Sequence, residues 1–366
     1  MRSEKLVVMG LLACFGIASC NNEKPRDVSS PQKDELQVTV TEGYPIEVIQ
    51  ALTERQNDIN RANPGINSMG LQSVIAISKI RDSRRVVTVA FKGGSPELRQ
   101  QIADAVKDWI SGTSLRIDFG NSAGTNSFRE WSTSDASYKA DIRISFDQAG
   151  YWSLVGTDGT DPSIVKAKQA SMNFGRFDQN LPTDWRGVVL HEFGHALGFE
   201  HEHQSPVGPC EAEFRWNDDP GYVKTKDIYG QFTRDSQNRW PGIYTLLGGF
   251  PNKWSKDQID FNLRRLPDSV DWRLSDFDKL SIMKYYFDKV FFKNGEYSGC
   301  YSKENVVLSD DDKKAVAETY PRSPADAQRV LDAQLKANKE LLNLRGLPAD
   351  LKSQFTAKVS SLAKHQ

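Results

Sequence analysis

Hydrophobic positions change period along the chain, and each change marks an element. Residues 86–91 alternate apolar and polar side chains, which predicts a half-buried strand. Gly93-Gly94-Ser95-Pro96 then breaks the chain, and Leu98, Ile102, Ala105, Val106 and Trp109 recur at helical spacing. Period two returns at 115–119, 141–146 and 171–174, predicting three further strands, the last of them just before a long helix. That helix has an apolar face of Trp185, Val188, Val189, Phe193 and Leu197, and Pro182-Thr183-Asp184 offers it a capping residue. Upstream, 37–40 reads as a strand, 46–60 as a helix and 73–77 as an apolar run. Downstream, 254–258 resembles a helix start. The acidic residues of 309–317 open a helix in the sense its dipole favours, which outweighs reading Asp310-Asp311-Asp312 as a calcium site. Two more helices, 324–344 and 349–363, are split by Gly346-Leu347-Pro348; they either pack on the domain or contact a partner. Strand, helix, several strands and then a long helix is an α+β layout.

Composition narrows the function classes. The chain has 366 residues, enough for one large domain or two. Its 38% apolar content and eight tryptophans supply a packed core, so general disorder is excluded. Lys+Arg 47 against Asp+Glu 48 leaves a net charge of −1, with no global bias toward nucleic acid or anionic lipid.

The first twenty residues belong to export. Arg2 and Lys5 precede an apolar run, 6–17, that is too short to span a bilayer. It ends Ile17-Ala18-Ser19-Cys20, which resembles the lipobox of bacterial lipoproteins. That resemblance implies cleavage before Cys20, lipidation of Cys20 and membrane attachment through it. The alternative is an ordinary secretory signal cut nearby. The first reading expects a lipid-anchored protein of the cell envelope, at the outer membrane or cell surface; the second expects a periplasmic or secreted one. Residues 21–35 are polar, with Pro25 and Pro31, and read as a tether. With Cys14 removed and Cys20 acylated, Cys210 and Cys300 remain as plausible disulfide partners in an oxidising compartment.

Four of the chain's five histidines fall in the thirteen-residue run H-E-F-G-H-A-L-G-F-E-H-E-H, 191–203. Along an α-helix each residue turns about 100° and rises about 1.5 Å. His191 and His195 therefore lie about 40° apart and about 6 Å along the axis, able to grip one metal ion. Glu192 projects beside that ion, where a general base for water belongs. His201 would lie about 15 Å along a continuing helix, too far for a bond of about 2.0–2.1 Å. The chain must therefore break, and Gly198 is the residue that takes a left-handed turn without a Cβ penalty. His203 and Glu200 read as solvated or outer neighbours rather than ligands.

The run H-E-x-x-H-x-x-G-x-x-H resembles the zinc site of the metzincins. The segment I-R-I-S-F-D-Q-A-G-Y-W-S-L-V-G at 142–156, the glutamate directly after the third histidine in G-F-E-H-E-H-Q-S-P, and S-I-M-K-Y at 281–285 are similar to the astacin-like members. The likeness covers 86–321. It implies a metzincin-type α+β catalytic domain, with a mixed sheet, a long active-site helix and a lower subdomain that is mostly irregular or helical. It also implies one catalytic Zn2+ on His191, His195 and His201, and Met283 packed beneath the imidazoles. Tyr285 would stand beside the zinc, as a fifth ligand or as a phenol stabilising the oxyanion. About 80 residues separate His201 from Met283; the segment 209–276 should form much of the lower subdomain and one wall of the cleft. The organisation expected is a leader at 1–19, a tether and possible prosegment at 20–84, a catalytic domain at 85–321 and a helical C-terminal extension at 322–366. No zinc-binding aspartate motif of astacin prosegments is visible before residue 85, and the basic stretch 81–85 is either a processing site or solvated surface. In processed astacins a new N-terminus bonds the glutamate after the third histidine; an uncut chain leaves Glu202 in need of another partner.

The expected function is a zinc endopeptidase in which Glu192 acts as general base and Tyr285 assists. Its substrate would be an extended peptide added to an edge strand near 151–155. The rival is a zinc-binding surface lipoprotein without turnover, serving adhesion or assembly. Retention of Glu192 argues against the rival, because binding zinc needs only the histidines.

Overall fold

The computed structural model describes residues 42–62, 68–121, 127–267 and 276–364. The leader, Cys20, the tether and the strand expected at 37–40 lie outside the described residues. Helices α1 (Ile46–Arg61) and α2 (Ser68–Lys79) come first. The apolar run at 73–77 is therefore helical; so short a run does not by itself distinguish strand from helix.

Strand β1 (Val87–Phe91) leads to α3 (Pro96–Ala105), whose N-cap Ser95 accepts from the Leu98 N–H, and to the one-turn α4 (Lys107–Ile110). Strands β2 (Ile117–Asp118), β3 (Ile142–Ser145), β4 (Tyr151–Ser153) and β5 (Met172–Phe174) complete a five-stranded sheet of order β2-β1-β3-β5-β4. Only β4 runs antiparallel, against β5. Strands β3 and β5 are buried at every position, as expected where both faces of a sheet are covered. Val89 and Phe91 face the main core with α3 and the long helix α5 (Trp185–Ala196), while Ala90 joins Trp131, Trp152 and Val165 on the opposite face.

The lower part is stitched from short pieces: α6 (Cys210–Glu213), the two-residue strands β6 (Thr225–Lys226) and β7 (Phe232–Thr233), α7 (Ile243–Gly248) and α8 (Lys256–Leu263). Ser255 and Gln258 form a reciprocal capping box that starts α8. Cys210 and Cys300 are bonded, with Cα atoms 5.0 Å apart, as the cysteine inventory anticipates. Beside the bond, Phe214, Phe287 and Phe292 pack ring against ring. With so few regular elements, a crosslink and an aromatic cluster carry much of the order here.

Helix α9 (Asp310–Thr319) opens on a Ser309–Asp312 capping box, and α10 (Pro324–Leu342) and α11 (Ala349–Ala363) follow. The last two pack on this chain's own N-terminal helices. Ile59 of α1, Ile75 of α2, Leu341 of α10, and Leu351 and Phe355 of α11 form one buried cluster. Charges tie that bundle to the sheet domain: Arg55 Nε lies 2.9 Å from Asp161, and Lys79 Nζ 3.0 Å from Asp158. Lys358 of α11 donates to Thr157 Oγ1 at 2.9 Å, and burial, then the Arg55 charge, pushes its amine down to about 8. Arg81 is buried rather than solvated, and its guanidinium donates to the Ala196 carbonyl at the end of α5 and to Gly156 O, both at 2.7 Å. No described helix is long and apolar enough to cross a membrane.

Candidate metal centre

The centre is built on α5, which is buried from Gly187 to Ala196 on all sides. Trp109 donates its indole N–H to Leu190 O at 2.8 Å, fixing the helix against α4. Asp184 stands at the N-cap position but makes no side-chain cap bond; its carboxyl pairs with Glu304 instead.

The helix stops where the ligand geometry requires. Gly198 has φ +105°, its N–H reaches His195 O at 2.8 Å, and the Phe199 N–H reaches Gly194 O at 3.1 Å. These two bonds are those of a Schellman cap. The reversed chain carries His201 back to the helix. His195 Nε2 then lies 3.1 Å from His191 Nε2 and 2.9 Å from His201 Nε2.

Each imidazole is held from behind. His191 Nδ1 meets Ile282 O at 2.7 Å, His195 Nδ1 meets Phe199 O at 2.7 Å, and His201 Nδ1 meets Gln204 Oε1 at 2.9 Å. An acceptor at each Nδ1 fixes the proton there and leaves three Nε2 lone pairs facing one another. Unprotonated nitrogens repel at such distances unless a cation lies between them. Tetrahedral bonds of about 2.0–2.1 Å would put them roughly 3.3 Å apart, close to the spacing found. Burial holds His191 down to about 4, and burial with the neighbouring imidazoles keeps His195 and His201 well below their usual value, which favours the neutral rings that a metal ion needs. These three residues form a group able to hold a metal ion among the described residues.

Glu192 is 1% exposed, and its Oε2 has no hydrogen-bond partner. Burial, and then the nearby Glu42 carboxyl, lift its pKa well above the carboxylate range. A cation held by the neighbouring histidines would offset that burial cost through Coulomb attraction. Tyr285 is 2% exposed, with its ring 4.3 Å from that of His201 and 5.4 Å from that of His191. Sequence-expected residues 191, 192, 195, 201 and 285 are thus brought together, with Met283 packed against Gly194 of α5.

Other contributors reach the centre across long separations that the sequence does not show. Asp312, the partner of Ser309 in the capping box of α9, accepts from Ser281 Oγ at 2.7 Å and from the Ile282 N–H at 2.8 Å, pinning the turn at 281–283. Gln204 donates its amide to Phe261 O and Arg264 O at 2.9 and 2.8 Å. His203 is buried rather than solvated: its Nε2 contacts Asn262 O at 2.9 Å, and its ring lies 4.5 Å from that of Tyr285. Glu202 finds its partner in the Asp278 N–H, which donates at 3.0 Å, and burial pushes its carboxyl up to about 7.

Strand β4 is the sheet edge that the sequence assigns to an extended peptide. Its outer side carries a strap of this same chain. Glu42 bridges Tyr151 in parallel sense, Gly43 N–H donates to Tyr151 O at 3.0 Å, and Tyr44 OH donates to Ser153 O at 2.7 Å. The Tyr44 N–H reaches across to Asn262 Oδ1 of α8 at 3.2 Å.

No protein-family model and no curated protein matches the chain. Among solved structures it is similar to two of myroilysin. One is 28% identical and covers 67% of this chain and 97% of that one, with a TM-score of 0.47. The other is 27% identical over 67% and 86%, with a TM-score of 0.42. It is also similar to high choriolytic enzyme 1, a hatching enzyme zinc-protease from the medaka fish Oryzias latipes, at 16% identity over 63% and 87% with a TM-score of 0.33.

Proposed function

We propose that the chain is an astacin-like zinc endopeptidase, and the observation that carries this reading is the convergence of three buried histidine Nε2 atoms beside the unpartnered Glu192 carboxylate. His191, His195 and His201 would hold one zinc ion. Zinc so held lowers the pKa of water to about 7 and polarises a carbonyl. Glu192 accepts the proton of the attacking water and delivers it to the leaving amine. Tyr285 supports the oxyanion with its phenol, and His203 and Phe287 hold its ring in place. Once the strap 42–44 leaves it, the outer side of β4 would pair with an extended peptide, through backbone hydrogen bonds that recognise any sequence.

Zinc content, hydrolysis of a peptide library and the Glu192→Gln variant test the proposal together. The expected result is one zinc per chain in both proteins, with turnover in the wild type falling by about 10²–10⁴-fold in the variant. A zinc-loaded wild type that cleaves nothing, with Glu192→Gln indistinguishable from it, would instead favour the non-enzymatic lipoprotein. The anchor at Cys20 is part of the proposal, supported by the lipobox-like Ile17-Ala18-Ser19-Cys20. Palmitate labelling that persists in Cys20→Ala would reject it.

A further inference from the structure

We infer that Gln204 is the positioning residue of the third zinc ligand, an inference that rests on the zinc-site reading above. The three histidines differ in what stands behind them. His191 and His195 lean on backbone carbonyls, Ile282 O and Phe199 O, whereas His201 leans on a side chain. Gln204 is 4% exposed and uses its amide completely. Its Oε1 accepts from His201 Nδ1–H, and its Nε2 donates to Phe261 O and Arg264 O at the end of α8. Those carbonyls belong to a helix terminus, where no intrahelical donor exists for them. The amide thus transmits the position of α8 to the imidazole across 57 to 60 residues of sequence. His201 needs this help because it lies beyond the Gly198 turn, off the rigid helix.

Chelator-competition titration of zinc and the absorption spectrum of the cobalt-substituted full chain test the role. Gln204→Met keeps the shape but removes the acceptor, and should weaken zinc binding about 10–100-fold and change the cobalt bands. Gln204→Glu keeps an acceptor for His201 and should bind more tightly than Gln204→Met. Unchanged affinity and spectrum in Gln204→Met, or equal losses in both variants, would overturn the assignment. A wild type that binds no zinc would sink the parent reading instead.

A separate set of contacts carries a second proposal: the C-terminal helices α10 and α11 clamp the strap Glu42–Tyr44 onto β4. The strap is sandwiched, since a Cβ on Gly43 would come within 2.8 Å of the Trp254 ring across from Tyr151. It continues directly into α1, whose Ile59 is buried among Ile75, Leu341, Leu351 and Phe355. Arg55 of α1 also lies over the Phe355 ring, 5.8 Å from its centroid. Gln334 Nε2 donates to Arg81 O at 3.2 Å, so α10 also grips the chain after α2. The strap therefore stays on the edge strand for as long as the helical bundle is closed.

Hydrogen exchange and peptide hydrolysis on the full chain test the clamp, with Phe355→Ala loosening the bundle and Gly43→Val expelling the strap directly. The clamp predicts faster exchange at 42–61 in both variants and an increase in kcat/KM of about tenfold or more, non-additive when they are combined. Exchange at the strap that stays slow in Phe355→Ala while α11 opens would overturn it. Strap release without any hydrolysis leaves the clamp standing and counts against the protease reading.

Discussion

The sulfur of Met283 occupies the space where a side chain on Gly194 would have to go. A Cβ there would overlap the thioether and come within 2.9 Å of Trp109. The glycine at 194 thus lets the turn at 281–283 close under α5, and Ile282 O reaches His191 by that approach.

Gly194→Ala should therefore act as an overpacking change, lowering stability by about 1–3 kcal/mol. Trimming the opposing residue, in Gly194→Ala/Met283→Ala, should recover part of the loss. Thermal unfolding of the wild type and the two variants checks this, and a double variant no more stable than Gly194→Ala would contradict it.

Tyr285→Phe keeps the ring packed between His201 and His203 while deleting the phenol. If the hydroxyl supports the oxyanion, kcat falls by about 10²-fold with KM and zinc content little changed. Equal effects on kcat and zinc affinity would point to a ligand role instead.

The Cys210–Cys300 bond closes a sequence separation of 90 residues in a region short of regular structure. Loop-closure entropy for such a length gives about 4–5 kcal/mol, and measured losses run about 2–5 kcal/mol. Denaturant unfolding of Cys210→Ser/Cys300→Ser should show a loss in that range. A midpoint identical to the wild type would mean the aromatic cluster suffices.

Glu42 yields a signed pH dependence. Burial, with Asp184 adding to it and Lys284 opposing it, raises its carboxyl from 4.5 to about 8. Between those values the folded chain keeps a proton that the unfolded chain has lost, so its contribution to stability falls as pH rises. Glu42→Gln cannot lose that proton. Its melting temperature should match the wild type near pH 4, exceed it increasingly up to about pH 8 and hold a constant lead above. A difference independent of pH would show that the carboxyl is not titrating there.

Much of the centre was legible because its rules are local. Histidines four apart share a helix face, a glycine ends a helix, and the helix starts read at 254–258 and 309–317 rest on caps that reach only three residues on. The sheet strands were legible for the same reason, although their order was not. The parts that escaped act across long separations. Asp312 looked like a helix opener, yet its carboxyl also grips Ser281, 31 residues away. His203 read as either solvated or an outer neighbour, and it is the second, because Asn262 and Phe287 from the lower subdomain bury it.

By itself, then, the sequence pointed to the three-histidine group, the break at Gly198 and the α+β order of elements, since each rests on rules that act within a few residues. Only the tertiary structure decided that Gln204 steadies His201, that α10 and α11 close on α1 and α2, and that the strap lies along β4. The Tyr44–Asn262 hydrogen bond spans 218 residues of sequence. Such a contact depends on how finished elements pack, through burial and the pairing of leftover polar groups, and no periodicity along the chain records it.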